Sequence, residues 1–453
     1  MSETHATRLL RVYDECARNT FTATSRDTAK MGILDCIACI VGGAHTETAA
    51  IVRTLAQEQG VVPEASVLGT GWRLAPPLAA LANGVAAHVL DYDDMSSTMI
   101  AHPSSFLVPA VFALGEARGA RGDELIAAYI TGFEVAGYFG RAMIPRHYDA
   151  GWHATSSLGV LGAAAAASRV LGLTAEQMLN ALAIAASNVA GLRANFGTMT
   201  KSLHAGQAAE GGVRAALLSA RGFSANSEIF DVPGGFFAAY GAGAQPRAAP
   251  ASLEIDATGI GLKPYACCGA GVSLIDAVLD LHAANVLHAE DITSVEVVVA
   301  EMARNIMPFR AARSGLEGKY CLEYCAAVAL LDAKGGMAQF LDERVARRDV
   351  QELLARVSVR SDARMAQGAG EFGVQLKLRL RDAKLLQTEL EVPRGHPRRP
   401  LTADALGAKF LECAGPVLGA AQAGKAVSLL QRLETQETLA PLIQLLVPRK
   451  EAA

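Results

Sequence analysis

The sequence predicts a mainly α-helical protein that also carries a smaller α+β part. Three observations lead there. Apolar residues recur at helical spacing over the first 250 positions, the period shifts to two after about residue 290, and helical patterning resumes at Asp404. The expected layout is a large all-helical domain made of residues 1–262 and 395–453. An α+β domain at 263–394 is inserted before the C-terminal helices.

In chain order, helices are expected at 27–42, 75–92 and 121–144, the last following the turn-forming Arg118-Gly119. Alanine- and glycine-rich helices follow at 156–172, 174–191 and 201–221, their small residues fitting close helix approach. Thr174 and Gln177 have the spacing of a capping box, in which each side chain satisfies a free backbone amide of the first turn. Ala65 to Gly69 is the one strand-like piece in this half. Strands are then expected from alternation at 292–299, 357–359, 372–380 and 386–392, with a turn at Asp382-Ala383. Helices at 271–284, 320–333 and 343–355 lie between them, and the proline-rich basic stretch 393–400 reads as a linker.

Composition removes several classes of function. The 453 residues are 51% hydrophobic and 19% charged, ample for a large core and unlike a disordered chain. With 41 basic and 45 acidic residues the net charge is −4, so no nucleic-acid footprint is expected. No apolar run reaches membrane-spanning length, and the N-terminus lacks signal-peptide character. A soluble, cytoplasmic protein is the expectation. The eight cysteines read as free thiols rather than a disulfide framework. Cys36 and Cys39 read as core, and the adjacent Cys267 and Cys268 cannot readily bridge each other. Phosphate-loop, zinc-peptidase, serine-hydrolase and dinucleotide-binding signatures are missing.

What remains are polar clusters at the ends of apolar helices. Asp91-Tyr92-Asp93-Asp94 closes one helix, where three carboxylates oppose the partial negative charge of its C-terminus. A solvated helix end is the plain alternative. His102-Pro103-Ser104-Ser105 opens the next helix, beside free amides that favour anions. His147 to His153 form a loop containing Trp152. Lys201 and His204, three apart, share a face near a helix start and could receive a carboxylate. Lys263-Pro264-Tyr265-Ala266-Cys267-Cys268 lies where the fold changes, a position that favours ligand clefts.

Five segments in this order resemble the MmgE/PrpD family: L-D-Y-D-D (90–94), H-P-S-S (102–105), A-G-W-H (150–153), N-F-G-T-M-T-K-S-L-H-A-G (195–206) and L-K-P-Y-A-C-C-G (262–269). The family includes 2-methylcitrate dehydratase, cis-aconitate decarboxylase and iminodisuccinate epimerase. The resemblance implies a helical domain with an α+β lid, a homodimer, and an active site needing no cofactor or metal. It places Asp91, His102, His153, Lys201 and Lys263 among the catalytic residues, with Tyr324 of E-Y-C-A-A. His204, Cys268 and Ser104 are the expected substrate-binding residues. Met95, Cys268 and Val272 depart from the family pattern, Met95 replacing a threonine and the other two replacing histidines. These departures weigh against a decarboxylase, and the wording around 150–153 and 195–201 is nearer the epimerase branch.

The chemistry implied is cleavage of a C–H bond beside a carboxylate. Lys201 and Lys263 would stabilise the charge that develops, one histidine would take a proton and another deliver one, and Asp91 would hold an imidazole tautomer. His153 is expected as the neutral base, and His102, near Asp91, as the more easily protonated acid. The substrate expected is a small anionic di- or tricarboxylate. Dehydration is the first reading, epimerisation the second, and a catalytically silent carboxylate-binding protein the third.

Overall fold

The computed structural model describes residues 3–60, 62–241, 243, 247–365 and 372–448. Its first half is a packed set of helices, chiefly Ala23–Gly43, Pro76–Val89, Pro103–Arg118, Gly122–Met143, Gly159–Val170 and Met199–Ala220. Several helices begin where the sequence offers a start. Thr22 accepts from the Ser25 amide, Pro76 and Pro103 occupy first-turn positions, and Thr174 and Gln177 complete their capping box. Ile37, Phe106, Phe133 and Leu161 are fully buried in the shared core. Among the described residues no single helix is long and apolar enough to cross a membrane. All eight cysteines are free and buried.

Helices Pro76–Val89 and Met199–Ala220 approach closely because glycines face one another. A Cβ on Gly84 would lie 2.7 Å from the Gly206 Cα, and one on Gly206 would lie 2.5 Å from the Leu81 carbonyl oxygen. This contact positions the site, since Asp91 follows the first helix and Lys201 and His204 belong to the second.

The later strands form a four-stranded sheet ordered 357–361, 292–299, 374–380, 385–390. Ile292–Val299 runs parallel to Val357–Ser361 and antiparallel to Val374–Leu380, with Val295 opposite Leu378 and Val297 opposite Leu376. These four side chains are buried. Helix Gly269–Ala284 packs against the last two strands, which explains the alternation seen in the sequence. Ala383 takes the left-handed conformation, φ 67°, in the hairpin turn expected there.

Several boundaries differ from expectation. Helix 156–172 breaks at Leu158 into two pieces, and 343–355 breaks into Asp342–Val345 and Arg348–Leu354. Strand 65–69 shortens to Ala65–Ser66 because the Asn83 side chain takes the Leu68 amide at 2.9 Å. The linker 393–400 is a tight turn in which Gly395, φ 86°, accepts from the Leu262 amide at 2.8 Å. The chain thus passes the 262 and 395 positions side by side.

Candidate active site

The aspartate cluster is the centre. Asp91 follows helix Pro76–Val89 and adopts φ 51°, an uncommon conformation for a residue with a side chain that is seen repeatedly at functional sites. Asp91, Asp93 and Asp94 are 0–2% exposed, which excludes the solvated helix end. Each has separate partners. Asp91 Oδ1 lies 2.6 Å from Lys263 Nζ and 3.2 Å from Lys201 Nζ, and Asp91 also accepts from the Tyr320 hydroxyl. Asp93 Oδ2 lies 2.7 Å from His88 Nδ1 and 3.6 Å from His102 Nδ1. Asp94 accepts from the Ser104 amide at 3.0 Å and the Ser104 hydroxyl at 2.7 Å.

Burial and charge sort these carboxyls. Burial alone would raise Asp91, but Lys201 and Lys263 outweigh it and hold the group well below the usual carboxylate range. Asp93 is held low likewise, burial being outweighed by His88 and His102. Burial pushes Asp94 well up, with Asp93 and Asp35 adding to it against the hydrogen bonds from Ser104. It reads as a neutral carboxyl that ties Ser104 in place.

Burial pushes the imidazoles towards their neutral form. His102 donates from Nδ1 to the Asp94 carbonyl at 2.7 Å, which leaves the lone pair on Nε2. Its pKa lies well below the ordinary value because burial, with Lys263 and Lys201, outweighs Asp93. This corrects the expectation of an easily protonated His102 beside Asp91: its nearer carboxylate is Asp93, and burial wins. It also corrects the role given to Asp91, which holds lysines while Asp93 holds the imidazole of His88. His153, buried, pairs Nδ1 with His204 Nδ1 at 3.0 Å, so one ring donates and the other accepts. Burial and Lys201 push His153 well down, and burial with His88 and Lys201 takes His204 to about 4.

A cavity of about 80 Å3 opens over these groups, lined among others by His102, His153, Lys201, Cys268 and Tyr320. Of the sequence-predicted residues, His102, His153, Lys201 and Cys268 line it, and Asp91 lies behind Lys201. Lys263 is fully enclosed, bonded to the Asp91 carbonyl at 2.9 Å and its carboxylate, so it supports the site from below. His204 stands behind His153. Ser104 turns away from the cavity towards Asp94 and the Tyr129 hydroxyl, 2.8 Å distant, because the Asp94 carboxyl claims it. Tyr324 is not in the site. Its hydroxyl donates to the Gln339 carbonyl at 2.5 Å and its ring packs near Phe340.

Three participants were missed. Tyr320, four residues before Tyr324 and in the turn ahead of its helix, lines the cavity and donates to Asp91. Lys319 donates to the Leu90 and Ala266 carbonyls, and burial takes it down to about 8 against the pull of Asp91. His88 lies fully buried, its ring 4.6 Å from that of His102. Lys319 and Tyr320 carried the signal used elsewhere, a polar pair just before the apolar helix Leu322–Asp332. His88 carried none, being one polar residue inside an apolar helix. His88, Asp93 and His102 each offer an atom within 4.8 Å of the others, the spacing of a metal site. The Nδ1 atoms of both rings are already engaged, His102 donating to the Asp94 carbonyl and His88 bonded to Asp93, which leaves the two Nε2 atoms outside these bonds.

Comparison with known proteins fits this geometry. The model of the MmgE/PrpD N-terminal domain matches residues 8–249, and that of the MmgE/PrpD C-terminal domain matches 265–435. The chain belongs to the MmgE/PrpD family. Its relatives include human cis-aconitate decarboxylase, 28% identical over 92% of this chain and 89% of the relative. The mouse cis-aconitate decarboxylase is 30% identical over 83% of this chain and 79% of its own length. That of Aspergillus terreus is 27% identical over 93% and 91%. Both halves of the MmgE/PrpD pattern therefore contribute to the site: Asp91, His102, His153 and Lys201 from the first, Cys268, Lys319 and Tyr320 from the second.

Proposed function

We propose that this MmgE/PrpD protein is a cofactor-independent lyase that acts on a small di- or tricarboxylate by breaking a bond at the carbon beside a carboxylate. The carrying observation is Lys201, a cation on the cavity wall held by buried Asp91, with His102 and His153, both pushed towards the neutral form, lining the same cavity. A substrate carboxylate paired with Lys201 gains negative charge as the adjacent carbon loses its proton. The ammonium stabilises that charge more strongly in an enclosed site than in water. His102, with its lone pair on Nε2, takes the proton, and Asp93 beside it steadies the imidazolium formed. The proton that His102 has taken then passes to the leaving hydroxyl, which departs as water and leaves a double bond, while neutral His153 on the same cavity orients that hydroxyl. Residues 263–394 act as the lid, with Lys319 reaching across to the Leu90 carbonyl.

Epimerisation is the second reading, favoured by the same pair of neutral histidines on one cavity, each able to take and return a proton. The curated relatives are decarboxylases, so loss of carbon dioxide belongs in the same test. Proton NMR in heavy water with citrate, 2-methylcitrate, cis-aconitate, tartrate and iminodisuccinate separates the outcomes. A new alkene signal marks dehydration, loss of a carboxylate marks decarboxylation, and deuterium uptake with inversion marks epimerisation. Binding without exchange or product for every compound sinks the enzymatic reading in favour of a carboxylate-binding protein. Activity is expected to survive prolonged chelation; its loss and recovery with an added metal ion would overturn the cofactor-free reading.

A further inference from the structure

One part of the cavity wall is the segment that joins the aspartate cluster to His102. Of residues 95–101, Met95, Ser96, Ser97, Ile100 and Ala101 line the cavity. The segment is closed on itself and clamped from outside. Met95 pairs its amide and its carbonyl with Gly261 at 2.7 Å, and the Ser96 amide donates to the Ala101 carbonyl at 2.9 Å. The Thr98 hydroxyl donates to buried Glu254 at 2.6 Å, and the Thr98 carbonyl accepts from Arg247 at 3.1 Å. Ile100 is held at φ 48°, in the left-handed region that a β-branched residue rarely adopts. Such strain persists where the surroundings over-determine it, and it gathers at functional sites.

Two hydroxyls on this turn are uncommitted as donors. Ser97 is half-buried on the cavity wall, and among the described residues its hydroxyl has no hydrogen-bond partner. The Ser96 hydroxyl accepts from the Met99 amide at 3.4 Å and donates to no described group. Thr258 and His396, which also line the cavity, are engaged. The Thr258 hydroxyl lies 3.0 Å from the Glu254 carbonyl and 3.1 Å from its carboxylate, and His396 Nδ1 accepts from the Arg398 amide at 3.1 Å. Lys201 has a different set of neighbours, namely Asp91, Phe196 and Tyr320. The lysine and the turn thus offer a negative oxygen two separate places, one through charge and one through hydroxyl donors.

We infer that the turn 95–101 decides which acids the site accepts, the Ser96 and Ser97 hydroxyls donating to the substrate carboxylate that Lys201 does not hold. The inference rests on the carboxylate chemistry proposed above and adds the place where the second carboxylate binds. A monocarboxylate of the same length gains nothing from these hydroxyls.

Calorimetric titration of the full chain with succinate, tricarballylate and, as the monocarboxylate control, butyrate tests it. Succinate and tricarballylate should bind more tightly than butyrate. In Ser97→Ala their affinity should fall by about 10- to 100-fold, the range for a hydrogen bond to a charged group, and the Ser96→Ala/Ser97→Ala double variant should lose more. The weak binding of butyrate should stay unchanged in both variants. Circular dichroism establishes that the variants are folded. Unaltered binding of succinate and tricarballylate in the folded double variant, or an equal loss for butyrate, overturns this inference and leaves the carboxylate reading standing. Failure of both polycarboxylates to bind the folded native protein overturns the two together.

Discussion

Lys201 and Lys263 both contact Asp91, yet their substitution should read out differently. Lys201 faces the cavity, so Lys201→Ala should weaken carboxylate binding by about 1.5–3 kcal/mol, the range for a charge-assisted hydrogen bond. Lys263 is enclosed, and Lys263→Ala leaves buried Asp91 short of a partner, costing about 3–5 kcal/mol of stability. Urea denaturation beside ligand titration separates the two, and equal stability loss in both variants would refute the distinction. The imidazoles carry a pH signature. His204 is held at about 4 when folded against 6.5 as its ordinary value, so the unfolded chain binds the extra proton between those limits. Stability should therefore be full above pH 6.5 and fall as pH drops towards 4, each such histidine adding up to about 1.4 kcal/mol per pH unit. His88, His102 and His153 are shifted the same way. The melting temperature of the protein and of His204→Asn across this range checks the sign, with a shallower slope expected in the variant.

Between elements, the contact that matters is the glycine crossing of Pro76–Val89 with Met199–Ala220. Gly206→Ala would press a methyl against the Leu81 carbonyl, a backbone atom with nowhere to go. The helices must separate, at a cost of about 1–3 kcal/mol for overpacking. The displacement also moves Lys201 from Asp91, so turnover should fall further than stability implies. Gly407→Ala is the control, because that glycine has open space around it on the helix Ala403–Leu418. It should be neutral or slightly stabilising, by up to about 1 kcal/mol from helix propensity. Similar losses in both variants would remove the crossing from the argument. The same helix supplies Lys409, which bonds the Tyr92 carbonyl at 2.6 Å and the Lys263 carbonyl at 2.9 Å, and lies 2.6 Å from Asp35.

Across the molecule, buried charged groups tie segments far apart in sequence. Lys263 joins Asp91, Lys319 joins Leu90, and Lys409 joins Tyr92 and Lys263. Separating the sheet-bearing part from the helices would strand several of these charges at once, so independent unfolding is disfavoured. Amide hydrogen exchange in rising urea should therefore show strand Ile292–Val299 and helix Met199–Ala220 losing protection together. Two well-separated transitions would contradict this coupling.

Element types, the change of period near residue 290 and the stretches that meet at the site are all legible along the chain. Local physics governs each of these: apolar periodicity, proline and threonine starts, and polar clusters that no core helix needs. Asp91, His102, His153 and Lys201 were legible for that reason, and the five-segment resemblance gave the family. Which carboxylate serves which partner is set by folding. Spacing along the chain carries no information on whether Asp91 or Asp93 faces an imidazole, because a left-handed residue at 91 redirects the side chains that follow. Folding also decided between Tyr320 and Tyr324, four residues apart, where one hydroxyl reaches Asp91 and the other a distant carbonyl. Burial set the neutral histidines against their neighbouring carboxylates, and depth within a core exists only once the chain has folded.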